Sequence, residues 1–203
     1  ETGEYRPVHY RDMVILTRSL QGWAEVFASI LAEEGIPAYS VSREGYFETY
    51  EVSVLLDYLK VLDNARQDLP LTAVLTSPFA GLTAAELSVI RLAYPNQLFY
   101  EAVEGFCSLS PEEIPETVDK RQVIQVQGKL RKFFEVLEHF RAILPYTAIH
   151  DLLAEIIDKT GYGLFISAMP GGAQRQANIE MLVEKARAFE GTSYKGLFNF
   201  VRY

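Results

Sequence analysis

The sequence contains very few of the side chains that form disulfides, metal sites and reactive thiols. Its 203 residues include one cysteine, Cys107, and three histidines, and their spacing does not match a zinc site. We therefore expect neither an intramolecular disulfide nor a structural metal. Phe106, Ser108 and Leu109 supply no base that could activate the thiol, so Cys107 is interpreted as a half-buried structural residue.

Long apolar runs and the motifs of common active sites are also absent. The apolar stretches, such as residues 13–16, are far shorter than the roughly 20 residues of a membrane span, and no cleavable leader is recognisable. The sequence has no G-x-x-x-x-G-K-[ST] turn, no serine nucleophile elbow and no HExxH pair. These absences predict a cytoplasmic protein without a membrane segment, whose sequence holds no catalytic or metal-binding residues.

Acidic residues outnumber basic ones: the 27 Asp and Glu residues and the 19 Lys and Arg residues give a formal net charge of −8. This balance argues against a domain that coats nucleic acid, although local contacts remain possible. Six cations lie close together in sequence: Lys120, Arg121, Lys129, Arg131, Lys132 and Arg141. They form either one basic helix face or a solvated face on which they make ion pairs within the helix. For any single cation the pattern favours an intrahelical ion pair, such as Arg131 or Lys132 with Glu135.

Apolar residues, at 49%, are abundant enough for a folded core, and their pattern at the start of the chain is that of a strand, a helix and a strand. Residues 12–17 are of strand length and enclose the continuous apolar run Met-Val-Ile-Leu. Helical spacing from Trp23 ends at Gly35, and residues 38–41 then read as extended. One such unit cannot cover both faces of its strands, so we expect the other strands of this sheet to lie outside the sequence.

After Gly45 the pattern changes to successive helices. Thr83 and Glu86 have the spacing of a capping box, which predicts the start of a helix at this point. The triplet Pro170-Gly171-Gly172 could offer amides to a phosphate, but a turn between two helices explains it better. Further helices are predicted over residues 49–63, 69–75, 119–144, 148–159 and 173–189 and from residue 193 to the end.

Four segments, in this order, resemble blocks of the UvrD/PcrA-type superfamily 1 DNA helicases. The stretch DMVILTRS is similar to the strand-end motif of the second motor domain, and EEGIPAYSV to the strand that follows. The stretch beginning GYFETYEV resembles the next helix of the family, and QRQANIEMLVEKARAFE resembles its Arg-x-x-Asn-x-x-x-Leu helix. Together they cover residues 12–203, and the similarity is greatest to the AddA group of bacterial ATP-dependent helicase-nuclease subunits.

This resemblance implies a mainly α fold with a small α/β part. Residues 1–42 would be part of the second RecA-like motor domain (2A), built as strand, helix and strand. Residues 43–203 would be a helical accessory insertion of the 2B type. Arg175 and Asn178 stand at the signature positions of the last helix block, where we expect them to hold helices together rather than contact a substrate.

The resemblance also implies DNA-binding residues. Arg18 and Ser19 match the end of the strand motif, where the family arginine contacts single-stranded DNA, although a surface arginine at a strand end is the alternative. Leu20 stands where relatives have asparagine. The stretch containing Gly81, Leu82 and Thr83 resembles the element that presents a helix start to duplex DNA. Thr83 replaces a glycine of that element, so an ordinary capped turn is an equally weighted alternative.

The function implied by the resemblance is that of a piece of a 3′-to-5′ DNA helicase and exonuclease that acts in double-strand-break repair and recombination. ATP and Mg²⁺ are expected for the full-length parent and no cofactor for this piece, which we expect to be inactive as an enzyme. Its expected partners are single-stranded DNA, duplex DNA and an AddB-like subunit. The alternative hypothesis is a helical interaction module whose apolar surface docks a partner subunit.

Overall fold

The structure is a computed structural model and describes residues 6–16, 18, 24–38, 45–110, 112–113 and 119–202. The described residues are mainly α-helical, as predicted. Their helices are α1 (Ala24–Glu33), α2 (Tyr50–Asp63), α3 (Asp68–Thr76), α4 (Ala84–Ala93), α5 (Phe99–Ser108), α6 (Lys120–Ile143), α7 (Ile149–Lys159), α8 (Tyr162–Ser167), α9 (Gly172–Glu190) and α10 (Leu197–Arg202).

Helix α2 lies at the centre of the helical core and packs against α3, α6, α9 and α10. Apolar residues follow one another so closely along it that more than one face is covered by neighbours. Its buried side chains are Glu51, Val52, Val54, Leu55, Tyr58, Leu59, Val61 and Leu62. All are apolar or aromatic except Glu51, whose carboxylate must therefore find partners inside the protein.

Helix α6 is the longest described helix, with 24 residues, and it is amphipathic. Its amino terminus is capped by Asp119, whose side chain accepts a hydrogen bond from the amide of Arg121, and a 3₁₀ turn containing Pro145 follows its end. The buried face carries Val123, Val126, Gln127, Leu130, Phe133, Leu137 and Phe140. No helix in the described part of the chain combines the length and the apolar character of a membrane span.

Glycines in the left-handed conformation separate the last helices. Gly161, with φ of 68°, precedes α8, and Gly171, with φ of 71°, precedes α9. The sequence pattern predicts an interruption over Gly161-Tyr162-Gly163. In the structure Gly161 alone makes the break, because the Tyr162 side chain is buried and begins the next helix. Helix α5 was not predicted at all, although it contributes four buried side chains to the core.

The predicted strand over residues 12–17 is not formed among the described residues. Met13, Val14, Ile15 and Leu16 are 58–90% exposed and have no strand beside them. A strand is stable only when neighbours take up its backbone hydrogen bonds, and none of the described residues does so. The helix of this unit is confirmed as α1, and Gly35, with φ of 71°, follows it as predicted. Trp23 and most of the second predicted strand lie outside the described residues.

The boundary expected near residue 43 is accompanied by a change in burial. Every buried residue among those described lies between Glu51 and Phe200. Residues 6–38 contribute none of them, and the Val26, Phe27 and Ile30 side chains of α1 are 38–53% exposed. Among the residues that the structure describes, the helical core is therefore built from the second part of the chain.

Gly128 lies in the middle of α6 on its exposed face, and a Cβ atom added there would meet no atom within 4 Å. We expect Gly128→Ala to raise the free energy of unfolding by about 0.5–1 kcal/mol, because alanine loses less backbone entropy in a helix. Urea denaturation followed by circular dichroism measures this change.

Gly172→Ala is the contrasting control for this experiment. A Cβ atom at Gly172 would lie 2.0 Å from the carbonyl oxygen of Ser167, so this variant must lose stability, on the order of 2 kcal/mol. If Gly128→Ala were destabilised as well, the described exposure of that helix face would be wrong.

Candidate nucleic-acid interface

The turn between α3 and α4 is fixed to the core by an aromatic side chain. The ring of Phe79 stacks on Tyr162, with 4.8 Å between ring centroids and 10° between planes, and lies 4.4 Å from the Tyr58 ring. Both tyrosines are about 1% exposed. Packing of aromatic rings on both sides holds the backbone of this turn in one position.

Gly81 and Leu82 have opposite roles in the turn. Gly81 is exposed, its φ of 63° is left-handed, and nothing lies within 4 Å of the position of a Cβ atom. Another molecule can therefore approach its backbone closely. The side chain of Leu82 is only 3% exposed, and its amide donates to the carbonyl of Leu75. Leu82 thus anchors the turn and leaves no amide for a ligand.

Thr83 and Glu86 form the predicted capping box at the start of α4. The amide of Glu86 donates to Thr83 Oγ1 at 3.2 Å, and the amide of Thr83 donates to Glu86 Oε2 at 2.7 Å. The structure confirms the box and shows that both of these amides are occupied. Among the described residues, the amides of Ala84 and Ala85 have no partner, as is usual in the first turn of a helix.

Lys129 of α6 joins this turn to the long helix. Its Nζ atom donates to the carbonyl of Gly81 at 2.8 Å and to the Glu86 carboxylate at 2.8 and 2.9 Å. Burial raises the pKa of Glu86, but the hydrogen bonds from Lys129 and Thr83 outweigh it, so the pKa lies below its ordinary value of 4.5. The Glu86 carboxylate is therefore ionised near neutral pH and holds the Lys129 ammonium beside Gly81.

Among the other cations of α6, Arg141 forms an intrahelical ion pair with Glu138 at 2.6 Å. Arg131 and Lys132 are exposed, and within the described ranges neither forms the pair with Glu135 that the sequence pattern favoured. Arg131 instead points one nitrogen at the carbonyl of Cys107, at 3.5 Å. Arg141 caps the end of α2 through the carbonyls of Val61 and Leu62. The amino-terminal half of α6 therefore presents unneutralised positive charge.

The structure does not bring the two groups of predicted DNA-binding residues together. Arg18 is exposed, and no hydrogen bond or ion pair joins it to another residue in the described ranges. Ser19 and Leu20 lie outside the described residues. The proposed single-strand contact at Arg18 and Ser19 stays a prediction, as does the duplex contact at Gly81, Leu82 and Thr83.

Arg175 and Asn178 hold helices together, as expected. Arg175 Nη1 binds Glu51 Oε2 and Asn178 Nδ2 donates to Glu51 Oε1, each at 2.6 Å. The Glu51 side chain is 2% exposed, so both of its oxygens are paired inside the protein. These bonds fasten α9 to the first turn of α2.

Two tyrosine hydroxyl groups complete this network. Tyr46 donates to the carbonyl of Asn178 at 2.7 Å, and Tyr162 donates to the carbonyl of Glu51 at 3.0 Å. Glu51, the partner of Arg175 and Asn178, was not predicted. Acidic residues are common in the first turn of a helix, so no local pattern distinguishes Glu51 as a buried residue.

The described residues do not fit a nucleotide. The glycines after Pro170 were the best candidate for a phosphate-binding turn, but a Cβ atom at Gly172 would lie 2.0 Å from the carbonyl oxygen of Ser167. The turn is thus packed against backbone, and Arg175 Nε is bonded to the carbonyl of Pro170. No group of three or more His, Cys, Asp or Glu side chains in the described ranges is arranged to hold a metal ion.

Comparison with known families and proteins is consistent with this geometry. The sequence model of the UvrD-like helicase C-terminal domain matches residues 5–200. The chain is 41% identical over 203 residues to the A subunit of the ATP-dependent helicase/nuclease of Heliobacterium modesticaldum, covering 100% of the chain and 14% of that protein. It is 42% identical over 200 residues to the protein of the same name from Acetivibrio thermocellus, covering 98% and 15%.

The corresponding helicase/nuclease protein of Lachnoclostridium phytofermentans is 39% identical over 237 residues, which cover 100% of the chain and 17% of that protein. The chain thus spans between 14% and 17% of the length of these relatives. Nearly all of it aligns with each of them, so the similarity extends over both the α1 region and the helical core.

Removal of the Arg175 guanidinium should weaken the fold. We expect Arg175→Ala to lower the free energy of unfolding by about 2–3 kcal/mol, because the Glu51 carboxylate loses its charged partner in a buried position. The control is Arg187→Ala in the same helix, where the exposed pair with Glu184 contributes about 0–1 kcal/mol. Equal effects of the two substitutions in urea denaturation would contradict the role given to Glu51.

Acidification should loosen the Gly81 turn through Glu86. The pKa of Glu86 is lower in the folded chain than its ordinary value of 4.5, so its contribution to stability is complete above that pH and is lost as the pH falls through the folded value. We expect Glu86→Gln to lose less stability than the unaltered chain between neutral pH and about pH 3.5. Thermal unfolding at several pH values tests this, with Glu135→Gln as the exposed control on α6.

Proposed function

We propose, from the premise that this chain belongs to the UvrD-like helicase C-terminal domain family, that it supplies DNA-contacting accessory surface to an ATP-dependent helicase/nuclease. Its relatives at about 40% identity are named as the A subunit of such a helicase/nuclease. The chain itself holds no complete catalytic site in this proposal. The parent would be a 3′-to-5′ DNA helicase and exonuclease subunit in double-strand-break repair and recombination, and it would bind ATP and Mg²⁺ elsewhere.

We assign residues 1–42 to the second RecA-like motor domain and residues 43–203 to a helical 2B-like insertion. The restriction of the core to residues after Tyr46 supports this division. The exposed apolar side chains at residues 13–16 and in α1 support it as well, because a motor-domain sheet would cover them. Localisation in the cytoplasm and assembly with an AddB-like partner subunit belong to the same proposal.

The observation that carries the DNA-binding proposal is the anchored turn at Gly81. Phe79 and Leu82 fix the turn in the core, Gly81 exposes its backbone, and Lys129 places an ammonium group beside it. The amides of Ala84 and Ala85 point out of the first turn of α4, where the helix dipole favours a phosphate. We propose that duplex DNA packs against the turn of Gly81, Leu82 and Thr83, whose own amides are occupied, and that the amides of Ala84 and Ala85 receive a phosphate.

Single-stranded DNA is assigned to Arg18 and Ser19. The exposed guanidinium of Arg18 has no described partner, so it is available to neutralise a phosphate. This contact would lie in the motor-domain part of the chain, separate from the duplex contact in the helical part. The two parts would then follow the two sides of a fork.

Docking of a partner subunit is the second candidate function, and a groove between α7, α8 and α9 favours it. The groove has a volume of about 900 Å³, its walls include Ile157, Leu164 and Val183, and Glu180 and Glu184 lie at its edge. Its mixture of apolar walls and acidic side chains is typical of a protein interface rather than of a nucleic-acid surface. Binding through such a groove would depend little on salt.

The duplex contact is tested by titrating the chain with a fluorescent hairpin that has a single-stranded tail. We expect binding to weaken steeply between about 50 and 200 mM salt, and Gly81→Asp to weaken it about tenfold at the lower salt, because its carboxylate repels phosphate. Arg18→Ala should weaken binding of the tail and leave binding of a blunt hairpin unchanged.

Gly161→Asp is the matched control, because Gly161 has the same left-handed backbone and the same open space around a Cβ atom. Equal loss of binding in both glycine variants would assign the effect to net charge or folding and contradict the contact at Gly81. Absence of DNA binding at every salt concentration would instead favour the docking function.

A further inference from the structure

The amino-terminal half of α6 carries positive charge that the proposed duplex contact does not use. Residues 120–132 include no Asp or Glu, in a chain whose net charge is −8. Their cations are Lys120, Arg121, Lys129, Arg131 and Lys132. Only Lys129 forms an ion pair among the described residues, so the other charges face solvent. A local excess of positive charge on an otherwise acidic chain is expected of an anion-binding surface.

A bare patch lies in the middle of this surface at Gly128. Arg131 and Lys132 follow it by three and four residues, so they are its neighbours on the same helix face. Long side chains in a helix lean toward its amino terminus, which places the Lys132 cation over the turn that contains Gly128, whereas Arg131 is directed at the carbonyl of Cys107. The absence of a side chain at Gly128 leaves open space beside Lys132. A phosphate can therefore approach the helix backbone next to this cation.

This patch belongs to a strip that runs beside the Gly81 turn. Arg121, Gln125, Gly128 and Lys132 recur at steps of three and four residues, and all are exposed. The strip is about 16 Å long, given the rise of about 1.5 Å per helical residue. Lys129 adjoins both Gln125 and Lys132 on the helix surface, and its Nζ atom is bonded to the carbonyl of Gly81.

We propose that the exposed strip of α6 formed by Arg121, Gln125, Gly128 and Lys132 binds the phosphate backbone of duplex DNA, continuing the contact made at the Gly81 turn. This inference rests on the proposed function, because the turn fixes the position of the duplex beside α6. Neighbouring phosphates of one strand are about 7 Å apart, so a strip of this length reaches about two or three of them. The proposed contact involves no base edges, so it does not depend on the DNA sequence.

Duplex DNA explains the strip better than an acidic protein segment does. Glycine in a helix interior costs about 0.5–1 kcal/mol relative to alanine, and at Gly128 no packing within the chain requires it. A rigid backbone that must lie close to the helix does require it, whereas a flexible acidic peptide could pass around a side chain.

The first test removes charge from the strip in the same hairpin titration. We expect Arg121→Ala with Lys132→Ala to reduce the slope of the logarithm of affinity against the logarithm of salt by about 2, because two phosphate contacts are lost. Arg187→Ala with Arg202→Ala removes the same charge from exposed positions on α9 and α10 and should leave the slope unchanged. Gly128→Gln keeps the charge but fills the patch, and should weaken binding about fivefold.

The second test places a photocrosslinker on Gln125→Cys, with Glu180→Cys on α9 as the control. Cys107 is half-buried, and burial raises its pKa to about 11, so the introduced thiol reacts preferentially near neutral pH. We expect crosslinks from position 125 to the duplex arm of the hairpin and none from position 180. Crosslinks to the single-stranded tail alone would overturn the assignment to duplex DNA.

The outcomes separate this inference from the proposed function. If Gly81→Asp weakens binding while the Arg121 and Lys132 double variant behaves like its control, the turn contact stands and the strip is refuted. If the unaltered chain shows no salt-sensitive binding, both are refuted. If a polyglutamate peptide bound more tightly than the hairpin, the strip would be assigned to an acidic protein partner and the proposal of DNA would be overturned. Circular dichroism of each variant confirms that a loss of binding is not a loss of folding.

Discussion

The buried carboxylate of Glu51 is the constraint on which the rest of the helical core depends. An ionised group with 2% exposure is tolerated only when its oxygens are paired, and both oxygens are paired with residues of α9 that lie 124 and 127 positions further along the chain. The charge therefore specifies which helix packs against the start of α2. Apolar side chains supply most of the stabilisation, and the Glu51 network adds directional contacts that fix how α9 sits against α2.

The same network positions the candidate interface. Tyr162 donates its hydroxyl to the carbonyl of Glu51, and the ring of Tyr162 stacks on Phe79. Phe79 fixes the turn whose exposed corner is Gly81. A continuous series of contacts thus leads from the ion pair in the core to the backbone proposed to meet DNA. Because each contact in the series is buried or half-buried, the turn is held in place before any ligand arrives, which lowers the entropy lost on binding.

Local sequence patterns predicted the elements that are stabilised by residues close to them in the chain. The capping box of Thr83 and Glu86, the end of α1 at Gly35 and the long amphipathic pattern of α6 depend on neighbours within four residues, and all are found in the structure. The strand predicted over residues 12–17 is not formed at the described residues 12–16, because a strand requires partners, which no local pattern supplies. The partners of Glu51 and the bond from Lys129 to Gly81 were missed for the same reason, since 48 or more residues separate them.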